Sequence, residues 1–279
     1  MWFCCQILSQ WRLDFDAKRV VTVAPMFHIW GHHFAKIAPL YMRATLVMLA
    51  QYKPASALDQ FERHAISIFA GGPLTIYIGL LANSNFDTTD FSALKCCMGG
   101  SAPYSEELLR EWERRTDCAM LENSGMSEGA PLSGNPIHGK RKLMSAGIVP
   151  PETEIDIVDL ETGTQVLPAI KRGEVRVRRP QFTRGYRNRP EETAAAIRDD
   201  WLYTGDIGYF DDEGFLFLVD RKKELILVGG TTSIRPKSLR FSIVTKRSKR
   251  RRRSVSPSIQ GRGGQGLVAL KPNAVMVNE

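Results

Sequence analysis

The sequence predicts an α/β layer followed by a half-exposed antiparallel sheet or small barrel. Two observations carry this. Over residues 1–144, short apolar runs alternate with amphipathic segments of helical period, which implies mostly parallel strands with helices packed on them. From about Ser145 the texture changes to short segments in which apolar and polar residues alternate, as in strands with one wet face.

The elements follow in order. Residues 20–25 (Val-Val-Thr-Val-Ala-Pro) read as a buried strand stopped at a proline turn, and residues 44–49 as a second strand. Residues 54–64 read as a helix with Leu58, Phe61 and Ala65 on one face. Residues 67–73 are a strand and turn, residues 74–82 a helix, and residues 94–100 a strand ending in Gly99 and Gly100. Ser105 is placed to cap a helix over 105–116, with Glu107 in its first turn. Residues 154–159 and 173–178 alternate as strands, and residues 215–220 form another after an Asp-Asp-Glu-Gly turn at 211–214. From 231 to 266 periodicity disappears.

Composition narrows the functional classes. The 279 residues suffice for one large domain, or one with a fragment of another, and no apolar run is long enough to span a bilayer. The apolar start has no basic flank or cleavage site, so a signal peptide is not expected. The five cysteines (Cys4, Cys5, Cys96, Cys97, Cys118) are odd in number and lack metal-ligand spacing. They argue against disulfides and zinc and for a reducing, cytoplasmic setting. The formal net charge of +8 is local. Residues 236–262 hold ten Lys or Arg and no acid, so the rest of the chain stands at −2. Specific nucleic-acid binding is therefore not expected of the body of the protein.

Several motifs point to chemistry, each with an ordinary alternative. Pro25-Met-Phe-His28-Ile-Trp-Gly follows the first strand, where a lone histidine is most simply a core residue. Gly99-Gly100-Ser101-Ala102-Pro103 is a turn whose glycines allow close backbone approach. Leu121-Glu-Asn-Ser124-Gly-Met-Ser127-Glu128 offers a hydroxyl and a carboxylate, the latter a suitable ligand for a hard cation. Trp201-Leu-Tyr-Thr-Gly-Asp206 presents an acceptor-only carboxylate that suits a diol, and Asp220-Arg221 follows the last alternating strand.

Taken together and in this order, these motifs resemble those of the AMP-forming acyl-CoA synthetases of the AMP-dependent synthetase and ligase family, most closely the fatty-acyl type, from about residue 6 to Gly230. The resemblance implies part of the large N-terminal domain of that fold, a parallel sheet with helices plus a barrel-like subdomain. Residues 1–144 would be the α/β part, 145–219 the antiparallel part, 220–230 the hinge and 266–279 a remnant of a truncated C-terminal domain. It implies that ATP and Mg²⁺ activate a carboxylic acid, a fatty one by the likeness around Phe69-Ala-Gly-Gly-Pro, as an acyl-adenylate that passes to coenzyme A.

By the same resemblance, His28 and Glu128 are catalytic, His28 lining and gating the acyl pocket and Glu128 holding Mg²⁺. Gly99, Gly100, Ser101, Ala102 and Pro103 lie against adenine and acyl group, Ser127 meets phosphate, Asp206 takes the ribose hydroxyls, and Arg221 lies near ribose and phosphates. Asp220 is the hinge about which the small domain turns between half-reactions. Gly173-Glu174-Val175, Gly185-Tyr186 and Pro190-Glu-Glu-Thr fit the barrel segment that precedes the ribose motif. Two residues depart from the pattern: Ser124 replaces a tyrosine that stacks on adenine, and Arg179 replaces a glycine before Pro180.

No Ser/Thr/Gly-rich loop ending in Pro-Lys-Gly and no counterpart of the family's catalytic lysine occurs in the sequence. The resemblance therefore implies a fragment with little or no activity, starting just after the phosphate loop. After Gly230 the family text Tyr-Asn-Ile-Tyr-Pro is replaced by Thr-Thr-Ser-Ile-Arg, but codons for the latter, read one base earlier, permit the former. The shifted reading continues to resemble the family until Leu267-Val-Ala-Leu-Lys-Pro matches as written. Residues 231–265 are thus expected to be frameshifted, basic and disordered. The alternative is a pseudoenzyme whose basic tail binds nucleic acid or directs nuclear targeting. Oligomeric state is not legible from the sequence.

Overall fold

The computed structural model describes residues 18–100, 104–224, 226–228 and 231–233. The first strand, β1 (Arg19–Thr22), places Val20 and Val21 on opposite sides of a sheet, both essentially fully buried. This follows from the two-residue side-chain period of a strand with both faces covered. Helical turns follow: α1 (Ile29–His32), a π-helical segment (His33–Ile37) and α2 (Ala38–Met42). Next come β2 (Thr45–Met48), α3 (Pro54–His64), β3 (Ile68–Gly72), α4 (Leu74–Leu81), β4 (Cys96–Gly99) and α5 (Glu106–Thr116). A hairpin of β5 (Met120–Met126) and β6 (Gly129–Gly134) closes this half.

These strands form one six-stranded sheet in the order β2-β1-β3-β4-β5-β6, parallel from β2 to β5 and antiparallel between β5 and β6. One apolar layer lies under α3, α4 and α5 and centres on Trp112, which packs edge-on to Tyr77 at 4.9 Å and Phe86 at 5.6 Å and stacks on Phe69 at 6.1 Å. The other layer lies under α1 and α2 and contains Trp30, Phe34 and Met42 against Val20, Ile68 and Met98. Cys96, Cys97 and Cys118 are buried free thiols, and burial pushes all three above the usual thiol range.

Local signals explain the helix limits. Proline at the first position starts α3, and Ala65 stops it in a left-handed conformation with φ of 45°. Ala65 therefore lies outside the buried face expected for it. The face is made by Ala57, Leu58 and Phe61. Ser105 caps α5 by accepting from the Leu108 N–H at 3.3 Å, with Glu106 and Glu107 in the first turn and Arg114 and Arg115 in the last, as the helix dipole favours.

A second sheet holds β7 (Glu154–Val158), β8 (Gly173–Arg178), a short β9 (Ile197–Arg198), β10 (Trp201–Phe210) and β11 (Leu216–Arg221), with the helix α6 (Pro190–Ala196) between β8 and β9. Its order is β11-β10-β8-β7 with β9 on β10, all antiparallel. Ile157, Val175, Val177, Leu216 and Leu132 form its core. The first sheet meets the second through two isolated bridges, Gly134 with Ile148 and Gly147 with Leu216. Among the described residues, no helix is long and apolar enough to cross a membrane.

Three residues of the segment expected to be disordered behave differently. Thr231–Ser233 (β13) pairs antiparallel with Ile226–Val228 (β12). The sequence Ile226-Leu-Val-Gly-Gly-Thr-Thr-Ser233, β-branched residues around two glycines, suits a hairpin. Residues 234–279, including the rest of that segment and the stretch 266–279, lie outside the described residues.

Candidate active site

Strand order locates a crevice. From β1 the chain crosses to β2 on one side, and the next strand, β3, joins β1 on the other. Connections that part in this way leave a cleft above the carboxyl ends of the two strands, where open α/β sheets bind ligands. Three predicted motifs stand at those ends: His28 after β1, the Gly71-Gly72 turn of β3, and Gly99-Gly100 at β4.

His28 is exposed and caps α1, its Nδ1 accepting from the Trp30 N–H at 3.2 Å. This use of Nδ1 leaves Nε2 outward. Trp30 is buried and donates its indole N–H to the Ala70 carbonyl at 3.2 Å, so it floors the cleft. Gly100 is fixed by that ring and by β5. A Cβ there would lie 2.9 Å from Trp30 and 2.7 Å from the Asn123 carbonyl. A Cβ on Gly99 would lie 2.5 Å from the Tyr104 hydroxyl. The glycines thus admit two aromatic rings of the protein itself. Ser101, Ala102 and Pro103 lie outside the described residues. His33, on the π-helical segment, is held neutral with its pKa lowered to about 4, mainly by burial and then by His32.

The hairpin of β5 and β6 turns at Ser127 and Glu128, with Met126 paired to Gly129. Ser127 is exposed, and the Glu128 carboxylate accepts from the Tyr186 hydroxyl at 2.7 Å. The Glu128 carbonyl accepts from the Thr183 N–H at 2.8 Å. Ser124, on β5, is buried opposite Ser133 and leaves no ring there. Next to it, the buried Asn123 Nδ2 has no hydrogen-bond partner among the described residues.

Asp206 and Arg221 come together across β10 and β11, where they are register partners and form an ion pair at 3.1 Å. Between Tyr203, opposite Arg176, and Ile207, opposite Glu174, three residues of β10 stand against one of β8. Thr204-Gly205-Asp206 is therefore a bulge, a device that re-aims a side chain. Gly205 supplies the left-handed φ of 72°, and the Thr204 hydroxyl ties the bulge down by donating to the Val175 carbonyl at 2.8 Å and accepting from the Asp206 N–H at 3.1 Å. Burial raises the Asp206 carboxyl above its ordinary value, and Arg221 partly opposes this. Asp220 precedes Arg221 and accepts its N–H at 2.7 Å. No hydrogen bond or ion pair joins this pair to Glu128 or His28 among the described residues.

Three features carried no assigned role in the sequence. Tyr186 contacts Glu128 across 58 positions of sequence, a relation no local pattern encodes. Trp30 lay inside the histidine motif without a role. Glu174 is buried and paired to Lys222 at 2.6 Å, beside the bulge. Its Gly-Glu-Val context was visible, but its partner was not.

The unsatisfied Asn123 amide beside Gly100 is a buried donor of the kind that could meet a base. A carboxylate such as Glu128 has the oxygen chemistry that a hard cation takes. Among the described residues no cluster of three or more His, Cys, Asp or Glu could hold a metal ion.

Comparison with known proteins bears on the family and the fold. Residues 1–187 match the family described as AMP-binding enzyme. The long-chain-fatty-acid–CoA ligase of Bacillus subtilis (strain 168) is 37% identical over 228 residues, covering 81% of this chain and 40% of that protein. A feruloyl-CoA synthase of an Amycolatopsis species is 30% identical over 231 residues, covering 82% of this chain and 46% of that protein. The chain thus spans less than half the length of these relatives. Among solved structures, ATP-bound MatB from Rhodopseudomonas palustris superposes with a TM-score of 0.76 at 29% identity, covering 83% of this chain and 45% of that one. O-succinylbenzoate coenzyme A synthetase (MenE) from Bacillus subtilis, in complex with ATP and magnesium, gives 0.72 at 26%, covering 83% and 47%. With a family match over two thirds of its length and relatives of 30% identity or more over four fifths of it, the chain belongs to the AMP-binding enzyme family.

Proposed function

We propose that the chain carries the ribose-binding, cation-binding and acyl-facing parts of a cytoplasmic ATP-dependent CoA ligase that activates a carboxylic acid, most simply a fatty acid. The observation that carries this reading is the bulge against β8 that sets Asp206 beside Arg221. A partly buried carboxylate re-aimed from a strand is a strong acceptor for the two hydroxyls of a ribose, and an adjacent guanidinium suits phosphate.

The remaining roles are those that the motif resemblance implies. Glu128 would hold Mg²⁺ at the hairpin tip, where the ion would supply positive charge to the phosphates. Ser127 donates its hydroxyl to phosphate. Gly99 to Pro103 line the adenine and acyl side, and His28 faces the acyl group with Nε2. Asp220 serves as the hinge. In the whole enzyme the substrate carboxylate attacks the α-phosphate with loss of pyrophosphate, and the thiol of coenzyme A then displaces AMP from the acyl-adenylate. Since no Pro-Lys-Gly phosphate loop occurs among these 279 residues, the polypeptide is expected to bind AMP without turning ATP over. Measurable acyl-CoA formation by it would overturn that expectation.

The test is AMP binding by titration calorimetry with Asp206→Asn beside the wild type. Loss of charged acceptors for the ribose is expected to weaken binding by about 10- to 100-fold. Equal affinities would remove the nucleotide reading.

A further inference from the structure

We infer that Tyr186 is a positioning residue for Glu128, and that the stretch from Arg179 to Tyr186 clamps the hairpin on which that carboxylate stands. The inference rests on the proposed role of Glu128 as the cation ligand.

Glu128 occupies a hairpin tip, where a side chain is ordinarily free to choose among rotamers. Here four contacts with one segment restrain the hairpin, and one of them holds the side chain itself. The Arg179 guanidinium donates to the Pro131 carbonyl on β6. The Phe182 ring lies so close to Gly129 that a Cβ there would come within 2.6 Å of it. The Thr183 N–H donates to the Glu128 carbonyl at 2.8 Å, and the Tyr186 hydroxyl donates to Glu128 Oε1 at 2.7 Å.

The clamp is itself fixed. The Tyr186 N–H donates to the Thr193 hydroxyl at 2.9 Å, and that hydroxyl donates to the Arg189 carbonyl at 2.7 Å, tying the segment to α6. Gly185 adopts φ of 142° with Thr193 so close that any Cβ would meet its methyl at 2.6 Å. Consistent with a donor held on an anion, the phenol is pushed up to about 12, first by its bond to Glu128.

The consequence concerns the two carboxylate oxygens. With Oε1 accepting from Tyr186, the rotamer is set and Oε2 is presented to a cation. A hydrogen bond from outside the ligand shell that orients a metal-binding carboxylate commonly affects metal affinity about tenfold or more.

Mn²⁺ binding to the full 279-residue chain in the presence of AMP, followed by electron paramagnetic resonance, tests this with Tyr186→Phe, Glu128→Gln and the double variant. Tyr186→Phe is expected to weaken Mn²⁺ about tenfold while leaving metal-free AMP affinity and Tm unchanged, a split that general loosening of the fold would not produce. In the Glu128→Gln background it is expected to add nothing. If Glu128→Gln weakens Mn²⁺ binding and Tyr186→Phe does not, the positioning role is overturned and the role of Glu128 stands. If Glu128→Gln has no effect, the cation assignment fails and the inference fails with it.

Discussion

At the scale of a single residue, Glu122 shows how burial sets a pH response. It lies in the motif strand β5, only 7% exposed, and accepts from the Met144 N–H at 2.6 Å. Burial pushes its carboxyl up to about 8. The Met144 bond and Arg141 oppose the shift, and Glu113 reinforces it. A folded-state value above the unfolded one means that the folded form binds the extra proton. Its contribution to stability is therefore complete below the unfolded value near 4.5 and is lost as pH rises through about 8. Glu122→Gln keeps an oxygen for Met144 and carries no charge. Its melting temperature is expected to match the wild type near pH ~5 and to exceed it increasingly toward pH ~8. The free-energy gap grows by at most about 1.4 kcal/mol per pH unit. A gap that stays constant with pH would show that Glu122 is not the titrating group.

At the scale of elements, glycines separate two kinds of constraint. Gly205 and Gly147 both have left-handed φ, 72° and 89°. A Cβ on Gly205 would meet nothing within 4 Å, whereas one on Gly147 would lie 1.9 Å from the Gly134 carbonyl carbon, where β6 meets the following segment. Gly205→Ala is therefore expected to lose about 1–2 kcal/mol, the conformational term alone. Gly147→Ala is expected to lose about 3 kcal/mol or more because backbone must move. Urea denaturation of both measures this, and equal losses would refute the distinction. The same contrast explains what the sequence revealed. The helix α3 was readable because a proline start and apolar spacing are local. The turns over residues 29–42 were not, because Gly31, Pro39 and a π-helical stretch blur the period of a helix that tertiary packing supports. The strand β10 was hidden by Thr204-Gly205-Asp206, since a bulge interrupts alternation where the carboxylate is re-aimed. The motif residues could be named, but the Asp206–Arg221 pair depends on antiparallel register and the Tyr186–Glu128 bond on a long-range contact. Neither has a local signal.

At the scale of the molecule, the first sheet joins its core to its candidate site. The strands β1, β3 and β4 each have a hydrogen-bonded neighbour on both sides and an apolar layer on both faces. Val21, Phe69 and Cys97 face one layer, and Val20, Ile68 and Met98 the other, all at most 1% exposed. The outer strand β2 differs, being paired on one side only among the described residues, with Met48 66% exposed. Opening β2 breaks one ladder, whereas opening β1 breaks two and wets both layers. Native-state hydrogen exchange is therefore expected to be slowest in β1, β3 and β4 and clearly faster in β2. The glycine turns that end β3 and β4 leave directly from those slow strands, so the cleft floor inherits their rigidity. The hairpin carrying Glu128 is braced by a separate segment and is expected to exchange at an intermediate rate. It should accelerate selectively in Tyr186→Phe while β1, β3 and β4 remain unchanged. Uniform acceleration across the sheet would mean that the hairpin and the core open as one unit, and that the carboxylate is positioned by the whole domain rather than by its clamp.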